Sequence, residues 1–509
     1  MELESLQGFA HTFQTAAVAS LIFAACIFFS QFNLRFQMAK LPSFIGTHGS
    51  SEKQRQAYLT SAKHMYVDGY NQFKDSVYRM VRSSPLALET VVIAPRFLPE
   101  LRKLPDDVLN FPAAVKDLME VKYTKLNPDE PIAYHTIKAD LTPALARLNP
   151  ILCEEVDSAV KQELGACKDW TSVPIYMALV KIVAKVSGRV FVGPDLCHDK
   201  DYLDAGINYT LELIGAQRAI KEMRPWLRPL LAPRLPEVRR LREREQQAQA
   251  FLKPIIKARL DAQKDPEYQK PDDMLQWFMS KGGDSFDSMR VAKFTLGLIF
   301  AAIHTTTMTA TNILYTLAAT PEYIEPLRQE IRTVMADNGG IITSRALQQM
   351  QKLDSYMKEV FRVYPPGFTS FNRKVLKGIT LSNGQYLPPG VTIEIPSYAI
   401  YRDEQHYPSS SAFDGFRFSK LRASGTGADH ARNQFVSTNE TNLGFGYGRH
   451  ACPGRFFAAN EIKMILARLV LEYDIANVEG QVGRYDNIEM GKQSTPDPRK
   501  LLMFRKASV

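Results

Sequence analysis

Apolar residues fall into three patterns along the chain, and each predicts a different element. From Ser5 to Leu34 there is no Asp, Glu, Lys or Arg, and Phe9 to Phe32 is rich in Ala, Val, Leu, Ile and Phe. That is long enough for the ~20 residues with which an apolar helix crosses a bilayer. A cleaved signal peptide would start basic and end at a small-residue site after a shorter core. Here the start is acidic (Glu2, Glu4), and Arg35 and Lys40 follow the span. The positive-inside rule then leaves everything after Arg35 in the cytosol. Polar His11, Gln14 and Thr15 leave a second reading, a buried helix of a globular domain; a single membrane anchor fits better.

The second pattern is helical periodicity from about residue 55 to 360. Ala248, Phe251, Leu252, Ile255 and Ile256 recur at helical spacing, with a kink predicted at Pro254. A longer helix is predicted from Val291 to Thr320, stopped by Pro321 and apolar nearly all round. Such a helix lies in the middle of a large protein or in a membrane. Lys293, His304 and the threonines 305, 306 and 307 make lipid a poor solvent for it, so it is read as a central core helix. The third pattern is β-rich and local. Ile379–Leu381, the turn Ser382-Asn383-Gly384 and Gln385–Leu387 predict a hairpin, and Val391–Ile395 a further strand. The fold class expected is mainly α with small segregated β-sheets. No internal repeat is present, which excludes a solenoid. Residues 1–40 are expected to form the anchor and the start of a linker, and 41–509 one large domain.

Composition narrows the function classes. With 45% hydrophobic and 23% charged residues in 509, the chain is neither disordered nor collagen-like. A net charge of +9 suits an acidic partner or a membrane surface and is too weak to imply nucleic acid. The five cysteines, Cys26, Cys153, Cys167, Cys197 and Cys452, are odd in number and contain no Cys-x-x-Cys pair. They do not resemble a disulfide framework or a zinc ribbon. The acceptor-like triplets Asn208-Tyr209-Thr210 and Asn439-Glu440-Thr441 fall on the cytosolic side, where they are expected to be plain loop or helix residues.

The chemistry concentrates near the C-terminus, in Phe445-Gly446-Tyr447-Gly448-Arg449-His450-Ala451-Cys452-Pro453-Gly454. The glycines let backbone approach a ligand closely. Arg449 and His450 are expected to favour a Cys452 thiolate, as is the positive end of a helix predicted from Arg455 to Tyr473. A thiolate among donors suits a soft metal centre, and one cysteine alone does not build a zinc or iron–sulfur site. The plain alternative is a buried, inert cysteine.

This string resembles the signature Phe-x-x-Gly-x-x-x-Cys-x-Gly of the cytochrome P450 haem-thiolate monooxygenases, met by Phe445, Gly448, Cys452 and Gly454. The resemblance implies the P450 fold and a haem b whose iron takes the Cys452 thiolate, with Arg449 or His450 toward a propionate. Other motifs follow the family's order. Glu359 and Arg362 match its Glu-x-x-Arg, and Arg417 in Phe413–Phe418 completes an expected buried triad. Arg373 stands where relatives bind a propionate. In Ala301-Ala302-Ile303-His304-Thr305-Thr306, Ala302 replaces the usual glycine and His304 the usual acid, while Thr305 is retained. Thr305 and His304 are therefore the expected catalytic pair, relaying protons; the plain reading of Thr305 is a hydroxyl bonded back to its own helix. His135 takes the place of a tryptophan that faces the propionates, with no arginine at 139, so that His135 or Lys138 is expected to compensate. His-Thr-Thr and Phe371–Val375 look most like fungal enzymes of specialised metabolism, including terpenoid oxidation.

The implied function is a membrane-anchored monooxygenase that inserts one atom of O2 into a C–H bond of a lipophilic small molecule. NADPH-cytochrome P450 reductase would supply electrons, and the enzyme would sit as a single-pass protein of the endoplasmic reticulum with a cytosolic catalytic domain. Two rivals differ in class: a haem-thiolate isomerase or dehydratase that needs no reductase, and a haem-binding membrane sensor without turnover.

Overall fold

The helix Ser288–Ala319 threads the largest hydrophobic core, and the rest of the architecture is arranged around it. It begins where the Asp287 side chain accepts from the Met289 amide and ends before Pro321, as a capped start and a proline stop dictate. Helices Ile175–Phe191, Lys200–Glu222, Pro236–Ala262, Gln351–Val363 and Arg455–Glu472 pack against it. A computed structural model describes residues 2–80, 90–282 and 287–508, without the side chains of residues 2–12, 24 and 27; the expectations on Phe9 and His11 lie outside the described side chains.

Two helices are long and apolar enough to cross a membrane, and burial separates them. The most apolar 18-residue window within Phe13–Ala39 has mean hydropathy 1.9 and none of it is buried, whereas the one within Ser288–Ala319, at 1.3, is 61% buried. The first has no protein to shield it; the second is a core helix, as its threonines and His304 require. The first helix spans Glu2–Ala39, ending just before Leu41-Pro42, where the span is expected to stop. Its last turn and the residues just after it bring Met38 and Leu41, 6% and 5% exposed, into a core with Val91, Ile393 and Leu387. The connector expected from Leu41 is correspondingly short, since Ser43–Phe44 already pairs in parallel with Val77–Met80.

Pro254, where a kink is expected, lies within a helix that continues from Pro236 to Ala262. Leu252 and Ile256 are buried on either side of it, and burying that face offsets the backbone hydrogen bond that proline removes.

The β-structure is segregated, as expected. The main sheet is mixed, in the order Ser43–Phe44, Val77–Met80, Thr90–Ile93, Thr392–Ile395, Ser370–Val375, Leu109–Asn110. The hairpin is present with Ile379 opposite Leu387 and Thr380 opposite Tyr386; Gly384, at φ 83°, takes the left-handed turn position. The last helix passes directly into Tyr473–Asn477, which pairs with Leu502–Lys506. Both acceptor-like triplets are tied into structure. Tyr209 and Thr210 are buried in a helix, and Asn439 Oδ1 accepts from the amides of Thr441 and Asn442.

Candidate functional site

Cys452 stands where a loop folds back onto the start of the helix Arg455–Glu472. Gly446 (φ 76°) and Gly448 (φ 72°) adopt left-handed conformations that strain any other residue. The Cys452 amide donates to the Phe445 carbonyl at 2.7 Å and closes the loop. Phe445 stacks on Phe361 (5.4 Å) and meets Phe435 edge-on (5.1 Å), fixing that end in the core. Gly454, at φ −86°, precedes the helix with open space where a Cβ would point. The Cys452 side chain is uncovered, yet protein surrounds it closely enough that burial pushes its thiol upward. Hydrogen bonds from the Gly454 and Arg455 amides and the charge of Arg455 act the other way. An accessible sulfur enclosed by protein lies in a cavity, facing donors from a helix start.

Arg449 and His450 do not supply the charge expected beside the sulfur. Arg449 donates to the Leu104 carbonyl and lies 3.8 Å from Asp106, and His450 Nε2 donates to Asp106 at 2.8 Å. Burial holds His450 below its ordinary value against the pull of Asp106. The cation that acts on the thiol is Arg455, which the sequence reading passed over. Its position three residues after the cysteine, in the first helical turn, was the available signal.

Arg373 is 4% exposed, its guanidinium over the rings of Phe371 (4.3 Å) and Phe111 (4.9 Å). It donates to its neighbour's carbonyl, Asn372 O, at 2.8 Å, and among the described residues no carboxylate lies within ion-pair distance of it. Burial lowers it to about 10. A buried cation without an anion is costly, and an acidic group from outside the chain would relieve that cost. Tyr134, on the helix Pro131–Thr136, lies within electrostatic reach of both Cys452 and Arg373. Its neighbour His135 is exposed. Lys138 donates to the Arg449 carbonyl at 3.3 Å from a π-helical turn, Ile137–Leu141, a distortion found often at functional sites.

On the central helix, Ala301 and Thr305 are exposed while Ile303, His304, Thr306 and Thr307 are buried. The two sit four residues apart on one face, which therefore borders open space inside the fold. The Thr305 hydroxyl donates to Ala301 O at 2.6 Å, the back-bonded arrangement. His304 points elsewhere. The Ile207 carbonyl only accepts, so Nε2 carries the proton in that 2.9 Å bond, and Nδ1 accepts from Tyr176 at 3.5 Å. Burial lowers His304 from its ordinary value, which keeps the ring neutral and tied to two neighbouring helices.

Glu359 and Arg362 form the expected pair from one helix face. Arg362 donates twice to Glu359, at 2.8 and 2.7 Å, and also to the carbonyls of Tyr401, Ser410 and Ala412. Arg417 reaches Glu359 at 3.2 Å, and the Asp414 amide donates to the same carboxylate at 3.1 Å. This cluster pins the segment 401–417 to the helix Gln351–Val363.

The residues present fit a haem. An enclosed sulfur at a helix start is a soft ligand for iron, small Ala301 stands on the exposed face of the central helix, and Arg373 lacks, among the described residues, the anion that a propionate would provide.

Comparison with known proteins bears on the same point. The family model "Cytochrome P450" matches residues 114–503. The chain is 39% identical over 496 residues to the cytochrome P450 monooxygenase TES1 of Alternaria alternata, covering 97% of this chain and 93% of the relative. It is 40% identical to ATR3 of Stachybotrys chlorohalonatus (83% and 89%) and 35% identical to the ent-kaurene oxidase P450-4 of Gibberella fujikuroi (87% and 87%). Among solved structures, retinoic-acid-bound cyanobacterial CYP120A1 matches in fold, with a TM-score of 0.65 at 18% identity over 92% of this chain and 99% of that one. A family match over most of the chain, joined to fungal relatives that span nearly all of it, makes this protein a cytochrome P450 monooxygenase with a haem-thiolate cofactor.

Proposed function

We propose that the chain is an anchored monooxygenase that oxidises a C–H bond of a lipophilic small molecule, a terpenoid or related metabolite. The observation that carries the reading is the Cys452 sulfur, enclosed but uncovered, with the Gly454 and Arg455 amides directed at it. Relatives named ent-kaurene oxidase support the substrate class. Cys452 would hold the haem iron, Arg373 a propionate, and His135 would line the same cavity. Arg449, His450 and Lys138 brace the cysteine loop from outside. Phe445, Gly448 and Gly454 shape the loop rather than touch iron. When bound, haem supplies O2 binding and O–O cleavage, and the protein supplies position and protons.

Within this reading the alcohol of Thr305 has the proton work. It donates to Ala301 O, which leaves its oxygen as an acceptor on the exposed face, where a water carrying a proton inward can be held. His304 is a positioning residue, fixing the central helix to the helices that carry Ile207 and Tyr176. An alcohol on that face favours monooxygenation over a reductase-independent isomerisation, which does not need it, and over a sensor without turnover. The test uses membranes containing NADPH-cytochrome P450 reductase. Wild type should form product only with NADPH. Thr305→Ala should keep consuming NADPH while product falls toward the ~10²-fold loss expected for a positioned proton-transfer group and peroxide rises. His304→Ala should lower haem retention and leave the pH profile of turnover unchanged. Product without NADPH, or normal coupling in Thr305→Ala, would overturn the reading.

The anchor belongs to the same proposal, with residues 1–40 as the membrane segment and 41–509 as a catalytic domain on the cytosolic face of the endoplasmic reticulum. Deleting residues 1–34 should move much of the protein from the membrane pellet to the supernatant, with haem still bound. Loss of haem in the soluble fraction would mean that the helix belongs to the core.

A further inference from the structure

Outside the cluster of haem residues, a turn brings three metal-ligating side chains together. Cys197 and His198 lie between the helices Ile175–Phe191 and Lys200–Glu222, and Glu155 projects from the helix Thr142–Leu164. Their ligand atoms all lie within 4.8 Å of one another. We propose that Glu155, Cys197 and His198 form a zinc site that clasps this turn to the helix Thr142–Leu164.

The backbone holds the ligands in place. Gly193 turns the chain at φ 95°, and the Cys197 amide donates to its carbonyl at 3.2 Å. Asp199 then caps the helix Lys200–Glu222 by accepting from the amides of Asp201 and Tyr202. Cys197 fits against the helix before it because residue 188 is glycine; a Cβ there would sit 3.0 Å from the Cys197 Cβ. The loop is set before any ion binds.

The side chains are incompletely matched without an ion. Glu155 Oε1 lies 2.9 Å from His198 Nε2, but that oxygen is buried and accepts no hydrogen bond. The two lie at ion-pair distance without a well-aligned hydrogen bond, and with the His198 ring neutral they are placed to serve as two ligands of one cation. The third ligand, Cys197, is fully buried and its thiol donates weakly to Pro194 O at 3.3 Å. Burial first and then Glu155 oppose its thiolate and hold the thiol up at about 12, with Arg189 acting the other way. A divalent cation between the sulfur and Glu155 reverses that opposition by screening the carboxylate. On binding, the thiol proton passes to solvent as the sulfur–zinc bond forms.

Ligand type selects the metal. Thiolate, imidazole and carboxylate together suit zinc, and the hard cations calcium and magnesium prefer oxygen alone. Three protein ligands leave the fourth tetrahedral position to water. His198 is 41% exposed and marks the side from which ion and water enter. The clasp would steady the start of the helix whose Ile207 carbonyl holds His304, at a distance from the iron.

Zinc chloride and the haem-loaded full chain provide the test, because the zinc absorption edge is separate from that of iron. One zinc per chain should survive gel filtration, with one sulfur at about 2.3 Å and nitrogen or oxygen at about 2.0–2.1 Å in its shell. His198→Ala, at an accessible position, and Glu155→Gln should each weaken binding by more than the ~10–100-fold cost of losing a supporting hydrogen bond. Their haem spectra should stay unchanged. Zinc should raise the thermal midpoint of wild type and not of His198→Ala. No retained zinc, a shell without sulfur, or equal retention in His198→Ala would overturn the proposal.

Discussion

In Cys452→Ser, the reduced, carbon-monoxide-treated protein loses the red-shifted band of haem-thiolate proteins and substrate turnover disappears. Serine has nearly the same shape, and the bond that closes the loop, from the residue 452 amide to Phe445 O, is made by backbone. The fold around the site should therefore survive. What goes is the ionisable sulfur. The Gly454 and Arg455 amides and the Arg455 charge favour an anion at that point, but they are far too weak to ionise an alcohol near neutral pH. No other cysteine can substitute: Cys153, Cys167 and Cys197 are buried elsewhere and Cys26 lies in the first helix. A red-shifted band that persists in purified Cys452→Ser would overturn the ligand assignment.

The second large effect falls on stability. Glu359 is fully buried between Arg362 and Arg417 and accepts from three donors besides the Asp414 amide, so nothing in the cluster is left unpaired on its account. Glu359→Ala removes the carboxylate that pairs, among the described residues, with both guanidinium groups, one of them, Arg362, itself 3% exposed. Breaking a buried pair from one side costs about 3–5 kcal/mol, because the remaining charge stays desolvated. Denaturant unfolding of the haem-loaded protein should show that loss. Arg417→Ala, which gives up one 3.2 Å contact and leaves the Arg362–Glu359 pair intact, should cost clearly less. Equal stability of Glu359→Ala and wild type would show that the cluster does not bear the load assigned to it.

The elements that could be read from the chain were those whose cause is local. The first helix and the central helix follow from long apolar runs, and the hairpin follows from Asn383-Gly384, because periodicity and turn chemistry act within a few residues. The Glu359–Arg362 pair was legible for the same reason, three residues apart on one helix. Failures came where distant segments decide. Arg449 and His450 are neighbours of Cys452 in sequence, yet Asp106 and Leu104, more than three hundred residues earlier, draw them away. His304 lies beside Thr305 in the chain, but one residue is about 100° of helical rotation, which turns it toward Ile207 and Tyr176. Adjacent positions on a helix do not share a direction.

The junction between the first helix and the domain has a mechanical consequence. Met38 and Leu41 are packed into the core, and strand pairing begins at Ser43. No slack lies between them, so the helix acts as a stiff stalk instead of a leash. With that helix in a membrane, as proposed above, the domain would be denied free tumbling above the bilayer. It would present one fixed side to the lipid, with its tilt set where residues 38–44 join the sheet. Lengthening that joint by a few glycines would turn a fixed posture into a swinging one without touching a single residue of the site.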